Sequence, residues 1–338
     1  MSAVKIGIIG FGYWGPNLTR SFYDLPSAEL VVIADLKEDQ LKRAKSRYPG
    51  VCLTTNYQDL FNMGLDGVVI STPPKTHFKI AQECLNHGLN VLVEKPITLN
   101  SADAEQLIDL AETKGLALMV GHTFEYNSAV QAMKKYIASK ELGDLYYIDS
   151  ARLNLGLFQR DSNVLWDLAP HDISILLYLL DKTPISVSAQ GAPCIIPGVY
   201  DVAYLSLAFS NNLTAYVHVS WLDPCKVRRV TVVGSKKMAV YNDMDSEGKI
   251  KIYDKGIEAP DYTNGFGEFQ YNYRSGDITI PNIHYVEPLL QECQHFIDSI
   301  NNHTEPNSSG RSGLRVIKIL EAAQRSITKS STTELIRW

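Results

Sequence analysis

The chain has no run of basic residues, no C-x-x-C pair, no ligand-spaced histidine cluster and no apolar stretch near the ~20 residues a membrane helix needs. Each absence excludes something. A formal net charge of −5 without a basic run argues against nucleic acid or an anionic membrane as partner. The five cysteines, at 52, 84, 194, 225 and 293, read as buried or incidental thiols in a reducing compartment. Eight histidines without ligand spacing point to chemistry that needs no metal. Met1 leads directly into the first strand, so no signal peptide is expected, and the expected location is cytoplasmic. There is no internal repeat and no low-complexity segment. What is present is an ordinary globular composition, 45% hydrophobic and 20% charged, in 338 residues, which is enough for two domains with substantial cores.

The most informative segment is the first 35 residues. VKIGIIGFGYWG, Val4 to Gly15, carries G-x-G-x-x-G at Gly10, Gly12 and Gly15. An apolar strand precedes it, a helix-compatible segment from Asn17 to Leu25 follows, and a second apolar strand closes at Asp35. These four features together form a dinucleotide-binding fingerprint. Gly10 permits a tight turn, Gly12 lets the backbone approach a pyrophosphate, and Gly15 lets helix and strand pack closely. The helix N-terminus offers unpaired N–H groups and positive dipole to the phosphates. Asp35 can accept from the ribose hydroxyls and repels a 2′-phosphate, which favours NAD over NADP. Lys37 is either a cation for such a phosphate or a solvated helix-start lysine. Tyr13 and Trp14, the variable loop positions, pack over the cofactor or against the neighbouring domain.

Strand and helix alternate up to about residue 122. Strands are expected at Lys5–Ile9, Leu30–Ala34, Gly67–Ile70, Asn90–Val93 and Ala117–Val120, with helices at Glu38–Arg47, His77–His87 and Ser101–Lys114. Ser101 supplies an acceptor at the last helix start. This alternation predicts an α/β Rossmann domain with a doubly wound parallel sheet over residues 1–122. Ligands bind beyond the carboxyl ends of such strands. That rule selects the loop after Ile9, Ser71–His77 and Glu94–Pro96.

Residues 123–338 predict a substrate-binding and oligomerisation domain of α+β type with a large, open, mainly antiparallel sheet. Helices are expected at Phe124–Ser139 and Trp166–Leu180, strands at Leu145–Leu155 and at several segments between Ser186 and Asp254, and a long loop at Asp261–Pro281. Final helices are expected at His284–Ile300 and Arg311–Ser326; the last, extending over about 311–328, is expected to pack back on the Rossmann domain. Alternation in Val202–Phe209 and Thr214–Trp221 leaves aromatic groups on the open face, which points to self-association as a dimer or tetramer.

Dinucleotide binding implies hydride transfer, and the proton of the oxidised alcohol must go somewhere. Lys95 follows a strand end and is fixed by Pro96. In WDLAPHD, Asp167 and His171 are four residues apart, so a helical turn places them on one face. A carboxylate there can orient the imidazole, although a structural histidine has the same spacing.

EKP after the fourth strand, together with Asp-x-x-x-His in the second domain, resembles the glucose–fructose oxidoreductase / inositol dehydrogenase / rhizopine catabolism (Gfo/Idh/MocA) family along essentially the whole chain. GHTFEYN (121–127), LGDLYYIDSARLNLG (142–156) and DSNVLWDLAPHDISIL (161–176) are similar to segments of its UDP-N-acetylglucosaminuronate 3-dehydrogenases. The resemblance implies that Lys95 contacts the reacting hydroxyl, that His171 is the general base and that Asp167 binds or orients at the same centre. It implies a cofactor set of Gly10, Phe11, Gly12, Tyr13, Trp14, Gly15, Asp35, Ser71, Thr72, Pro73, His77, Glu94 and Lys95. It places Tyr126, Asn154, Arg160 and Asn163 toward the substrate with Asp167 and His171; the Arg160 guanidinium would suit a uronate carboxylate or a diphosphate, or is a solvated loop arginine. The expected activity is oxidation of a sugar C3 hydroxyl of a nucleotide sugar for surface-polysaccharide synthesis. The competing expectations are a dehydrogenase or ketoreductase of a free or phosphorylated sugar, inositol or antibiotic sugar, and a non-catalytic NAD-bound sensor.

Overall fold

The computed structural model describes residues 3–158, 162–258 and 272–338. Its first half alternates β1 (Val4–Ile9), α1 (Gly15–Asp24), β2 (Ala28–Ala34), α2 (Glu38–Arg47), β3 (Cys52–Thr54), β4 (Gly67–Ile70), α3 (His77–Asn86), β5 (Asn90–Glu94), α4 (Ser101–Lys114) and β6 (Leu118–Gly121). After a short 3-10 turn at Thr123–Tyr126 come α5 (Ser128–Ala138), β7 (Leu145–Leu155), α6 (Val164–Leu180), β8 (Ser186–Ala192), β9 (Val202–Ala208), β10 (Thr214–Ser220), β11 (Leu222–Gly234), β12 (Met238–Asn242), β13 (Ile250–Glu258) and β14 (Asn272–Thr279). The chain closes with α7 (Pro288–Asn302), α8 (Gly310–Thr328) and β15 (Glu334–Leu335). No described helix is long and apolar enough to cross a membrane.

Contacts divide the chain into two units, Met1–Asn127 with Val286–Glu321, and Ser128–Tyr285 with Ala322–Trp338. The single boundary expected at residue 122 therefore differs from the observed division. The reason is α7: Leu289, Cys293, Phe296 and Ile297 are buried in the same core as Val4, Ile6, Phe22 and Ile33, and Phe22 meets Phe296 edge-on at 6.4 Å. The first part of α8 also belongs to this unit. Glu321 accepts from the Ser101 amide and hydroxyl at 2.8 and 2.9 Å, and Lys318 pairs with Glu105 at 2.9 Å. Ser101 is thus engaged by α8, and Asn100 caps α4 instead, accepting from the Asp103 amide.

The first unit holds a six-stranded sheet in the order β3-β2-β1-β4-β5-β6, every pair parallel. β4 and the apolar part of β5 are buried without interruption because helices cover both faces, which is why they read as continuous apolar runs. The strand order reverses between β1 and β4, so a crevice opens beyond Ile9 and Ile70, where this fold holds its ligand.

The second unit holds a nine-stranded sheet in the order β14-β13-β12-β11-β7-β10-β9-β8-β15. It is mainly antiparallel, but β7 pairs parallel with β10 and antiparallel with β11. In β9 and β10, Ala203, Leu205, Leu207, Ala215, Val217 and Val219 are buried, while Tyr204 and Tyr216 face outward. Residues 272–279 form β14 on β13 and are not part of the expected loop; Tyr, Arg and Ile there suit an edge strand despite the glycine-rich surroundings. The expected helix at Phe124–Ser139 is broken at Asn127, where the backbone is extended.

Candidate active site

The glycine loop is shaped by close backbone approaches. Gly10 has φ +100°, and a Cβ there would lie 2.8 Å from the Ser71 carbonyl carbon. The Ser71 amide donates to Ile9 O at 2.8 Å and its hydroxyl to Gly10 O at 2.7 Å. β1 and β4 are thereby locked together at the point where the strand order reverses. A Cβ at Gly15 would collide with the Gly10 carbonyl oxygen, whereas one at Gly12 would project into open space. The loop is therefore closed underneath and open above. Pro16 in the first turn carries no N–H and the Asn17 amide donates to Trp14 O at 2.9 Å, so α1 presents its positive end through the amides of Gly15 and the loop before it. Asp35 Oδ2 accepts from the Phe11 amide at 2.7 Å and Oδ1 from the Lys37 amide at 2.8 Å. Each oxygen retains a second lone pair for a ribose hydroxyl. This cradle fits a dinucleotide.

Phe11 is buried and takes part through its main chain; Tyr13 is 88% exposed. Trp14 is neither free above the loop nor simply stacked: its indole donates to Glu94. The Glu94 carboxyl also accepts from the Lys95 amide at 3.2 Å. Burial pushes this carboxyl up to about 7, against the pull of the Lys95 ammonium, the Lys95 amide and the Trp14 indole. Thr72 bonds Thr76 at 2.7 Å, and Pro73 is exposed at the loop tip. His77, expected to touch the cofactor, is wholly buried, with Nδ1 2.8 Å from Pro96 O and Nε2 2.8 Å from Thr72 O. Its role is corrected to that of a brace joining the Ser71–Pro73 loop to the Glu94–Lys95–Pro96 turn.

Two residues missed in the sequence complete this wall. His122, 1% exposed, follows β6; burial and the Lys95 charge push its imidazole down to about 3. Glu292 on α7 is fully buried and accepts from the Thr123 hydroxyl at 2.8 Å. Burial, then Glu94 and Glu125, hold it well above the carboxylate range. The strand-end rule that selected three loops also applies to β6 and reaches His122. Nothing local announces Glu292, which lies 198 residues after Glu94 in the chain.

In the second unit, Asp167 and His171 lie one turn apart on α6. Asn163 begins that helix: its Oδ1 accepts from the Trp166 amide at 3.2 Å and its Nδ2 donates to Gln324 at 3.2 Å. Both ends of that amide are thus engaged, one of them in capping the helix. Asp167 Oδ2 accepts from the Trp221 indole at 3.0 Å. Next to His171, Asp172 is buried with Arg152, whose Nε donates at 2.6 Å, and with the Ser150 hydroxyl at 2.7 Å. Strand alternation puts Asn154 on the same face of β7 as Ser150 and Arg152, the face that meets α6. Tyr126 belongs to the first unit; it is 4% exposed and its hydroxyl meets Ser308 at 3.0 Å. Its expected substrate contact is corrected to core packing, which an amphipathic tyrosine serves equally well. Arg160 lies outside the described residues. Among the described residues, no group of three or more His, Cys, Asp or Glu is gathered to hold a metal ion.

A family model described as an oxidoreductase family with an NAD-binding Rossmann fold matches residues 4–122, and a GFO/IDH/MocA C-terminal domain model matches residues 130–240. The chain belongs to the Gfo/Idh/MocA family. Its first unit carries that family's NAD-binding domain over residues 4–122. Among Gfo/Idh/MocA relatives, the chain is 24% identical to a UDP-N-acetylglucosamine 3-dehydrogenase of Acidithiobacillus ferrooxidans, over 94% of this chain and 95% of that protein. It is 23% identical to an inositol 2-dehydrogenase of Rhizobium meliloti, over 96% and 97%. The crystal structure of GenD2 from gentamicin A biosynthesis in complex with NAD superposes with TM-score 0.84 at 20% identity, covering all of this chain and 97% of that one, and shares its fold.

Proposed function

We propose that the protein is an NAD-dependent dehydrogenase that oxidises the C3 hydroxyl of a UDP-N-acetylglucosaminuronate-type nucleotide sugar, in the synthesis of a surface polysaccharide. Bound NAD supplies the hydride acceptor. Lys95 contacts the reacting hydroxyl from the Rossmann unit and stabilises the oxygen as its charge develops. His171 takes the proton as a neutral imidazole, and Asp167 orients the ring and stabilises the imidazolium that forms. The observation that carries this reading is the placement of Asp167 and His171 on one face of α6, with the carboxylate held by a buried donor. The match to a UDP-N-acetylglucosamine 3-dehydrogenase along nearly the whole chain supports the nucleotide sugar.

A second reading, oxidation of a free polyol such as inositol, is favoured by a match of equal extent to an inositol 2-dehydrogenase. NADH absorbance with UDP-N-acetylglucosaminuronate, UDP-N-acetylglucosamine, inositols and free sugars separates the two. Turnover confined to UDP-sugars is expected; turnover only with inositol or free sugars overturns the nucleotide-sugar assignment. Binding of NAD without turnover on any polyol supports a sensor instead.

The outward face of the second sheet supports self-association. Tyr147, Tyr204 and Tyr216 are exposed on it, with Tyr204 stacked on His218 at 4.0 Å. Light scattering is expected to give a dimer or tetramer.

A further inference from the structure

The orientation of Asp167 is not set by its helix alone. Trp221, 1% exposed, lies at the junction of β10 and β11 with its main chain tied on both sides. Its amide donates to Asp201 O at 2.9 Å, and its carbonyl accepts from the Gly156 amide at 2.9 Å. The ring packs on Phe158 with centroids 5.6 Å apart. At Gly156 a Cβ would stand 2.8 Å from the indole Cδ1, so the ring lies against a position that has room only for glycine. A rigid, buried donor therefore points at Asp167 Oδ2 from 3.0 Å.

An indole N–H donates and never accepts, so this contact has one polarity whatever else changes nearby. The Asp167 side chain is partly exposed and turns about two bonds. A donor fixed by strand and packing selects one of its rotamers, and a bond to an ionised oxygen is stronger than a neutral one. We propose that Trp221 is the positioning residue of the reacting centre, holding the Asp167 carboxylate in the rotamer that serves His171 one turn away. This rests on the role assigned to Asp167 above.

The test is a double-mutant cycle with Trp221→Phe, which keeps an aromatic ring and removes the donor, and Asp167→Asn. Trp221→Phe is expected to lower kcat roughly 10- to 100-fold, by analogy with the loss of outer-shell partners of metal ligands, with sugar KM within about threefold. Added to Asp167→Asn, it should cost nothing more, because two residues acting through one contact are not additive. In the cofactor-free protein, the Trp221 indole N–H proton resonance, identified by its loss in Trp221→Phe, should move in Asp167→Asn. An unmoved resonance overturns the contact, even where Trp221→Phe folds poorly. Full activity of Trp221→Phe beside an impaired Asp167→Asn overturns the positioning role, as does strict additivity. Full activity of Asp167→Asn removes the premise and overturns the role of Asp167 itself.

Discussion

At the glycine loop every bond has a main-chain group on at least one side: Ser71 meets Ile9 O and Gly10 O, and Asp35 receives the amides of Phe11 and Lys37. On α6, side chains reaching from other strands do it, Trp221 to Asp167 and Arg152 with Ser150 to Asp172. The first arrangement suits a ligand recognised by phosphates and ribose, which backbone N–H groups and one carboxylate satisfy for any dinucleotide. The second suits proton transfer, where one imidazole must stand at a fixed angle. The first is a matter of space and φ, the second of which side chains are present. Substitutions in the two regions should therefore fail in different ways.

The largest effect is expected where the Rossmann unit contributes to chemistry. Lys95→Ala should lower kcat about a thousandfold, within the range for a positioned acid–base group, and change NAD affinity less than about threefold. Stopped-flow hydride transfer and NAD titration check the two separately. Retained turnover would remove Lys95 from the chemistry and leave the Asp167–His171 face to act alone.

Next comes the anchor beside His171. Arg152→Met leaves Asp172 buried without its cation, and breaking such a pair costs about 3–5 kcal/mol. Urea denaturation should show that loss, and Arg152→Met with Asp172→Leu should recover most of it. If the double variant is stable yet has lost kcat, the pair also sets the angle of α6.

The difference in how the regions are built explains how far each was legible. Gly10, Gly15 and Asp35 lie within one βαβ segment, and local spacing dictates their geometry, so the fingerprint and five of the six strands could be read directly; β3, three residues long at the sheet edge, could not. α6 could be read as a helix, and the four-residue spacing of Asp167 and His171 put them on one face. Its anchors could not be read, because Trp221 comes 54 residues after Asp167 and Arg152 lies 20 before Asp172. The structural places of Asn163 and Tyr126 could not be read for the opposite reason. Resemblance marks a stretch, but only the fold shows that one caps a helix and the other fills a core. α7 joined the first unit because of its apolar face, which has no address in the sequence.

A third effect is set by pH within the first unit. The imidazole of His122 falls from the usual 6.5 to about 3 because burial, aided by Lys95, disfavours its charge. A lowered base contributes stability that is present above 6.5 and lost as pH falls toward 3. From pH 7 to 5 the loss should be about 2 kcal/mol, from ~1.4 kcal/mol per unit. Glu94, raised from 4.5 to about 7, acts in the opposite sense, its contribution being full below 4.5 and lost as pH rises through 7. His122→Phe removes the first without the second, so urea midpoints of this variant should fall less on acidification than those of the parent. Parallel curves would mean that His122 is charged, or wet, in the folded protein.

The smallest effect sharpens the comparison most. Gly10→Ala asks a side chain to adopt φ +100° and to occupy space 2.8 Å from the Ser71 backbone. Such strain costs about 1–3 kcal/mol, and because Ser71 directly follows β4 the loop can yield only by parting from that strand end. NAD affinity should fall roughly 10- to 100-fold by the corresponding ~1.4 kcal/mol per decade. kcat at saturating NAD should stay within about threefold, since Asp167 and His171 are held by bonds that do not involve this loop. Isothermal titration and steady-state kinetics on one preparation decide the point. A fall in kcat as large as the fall in affinity would show that the backbone-built cradle and the side-chain-built face are not independent.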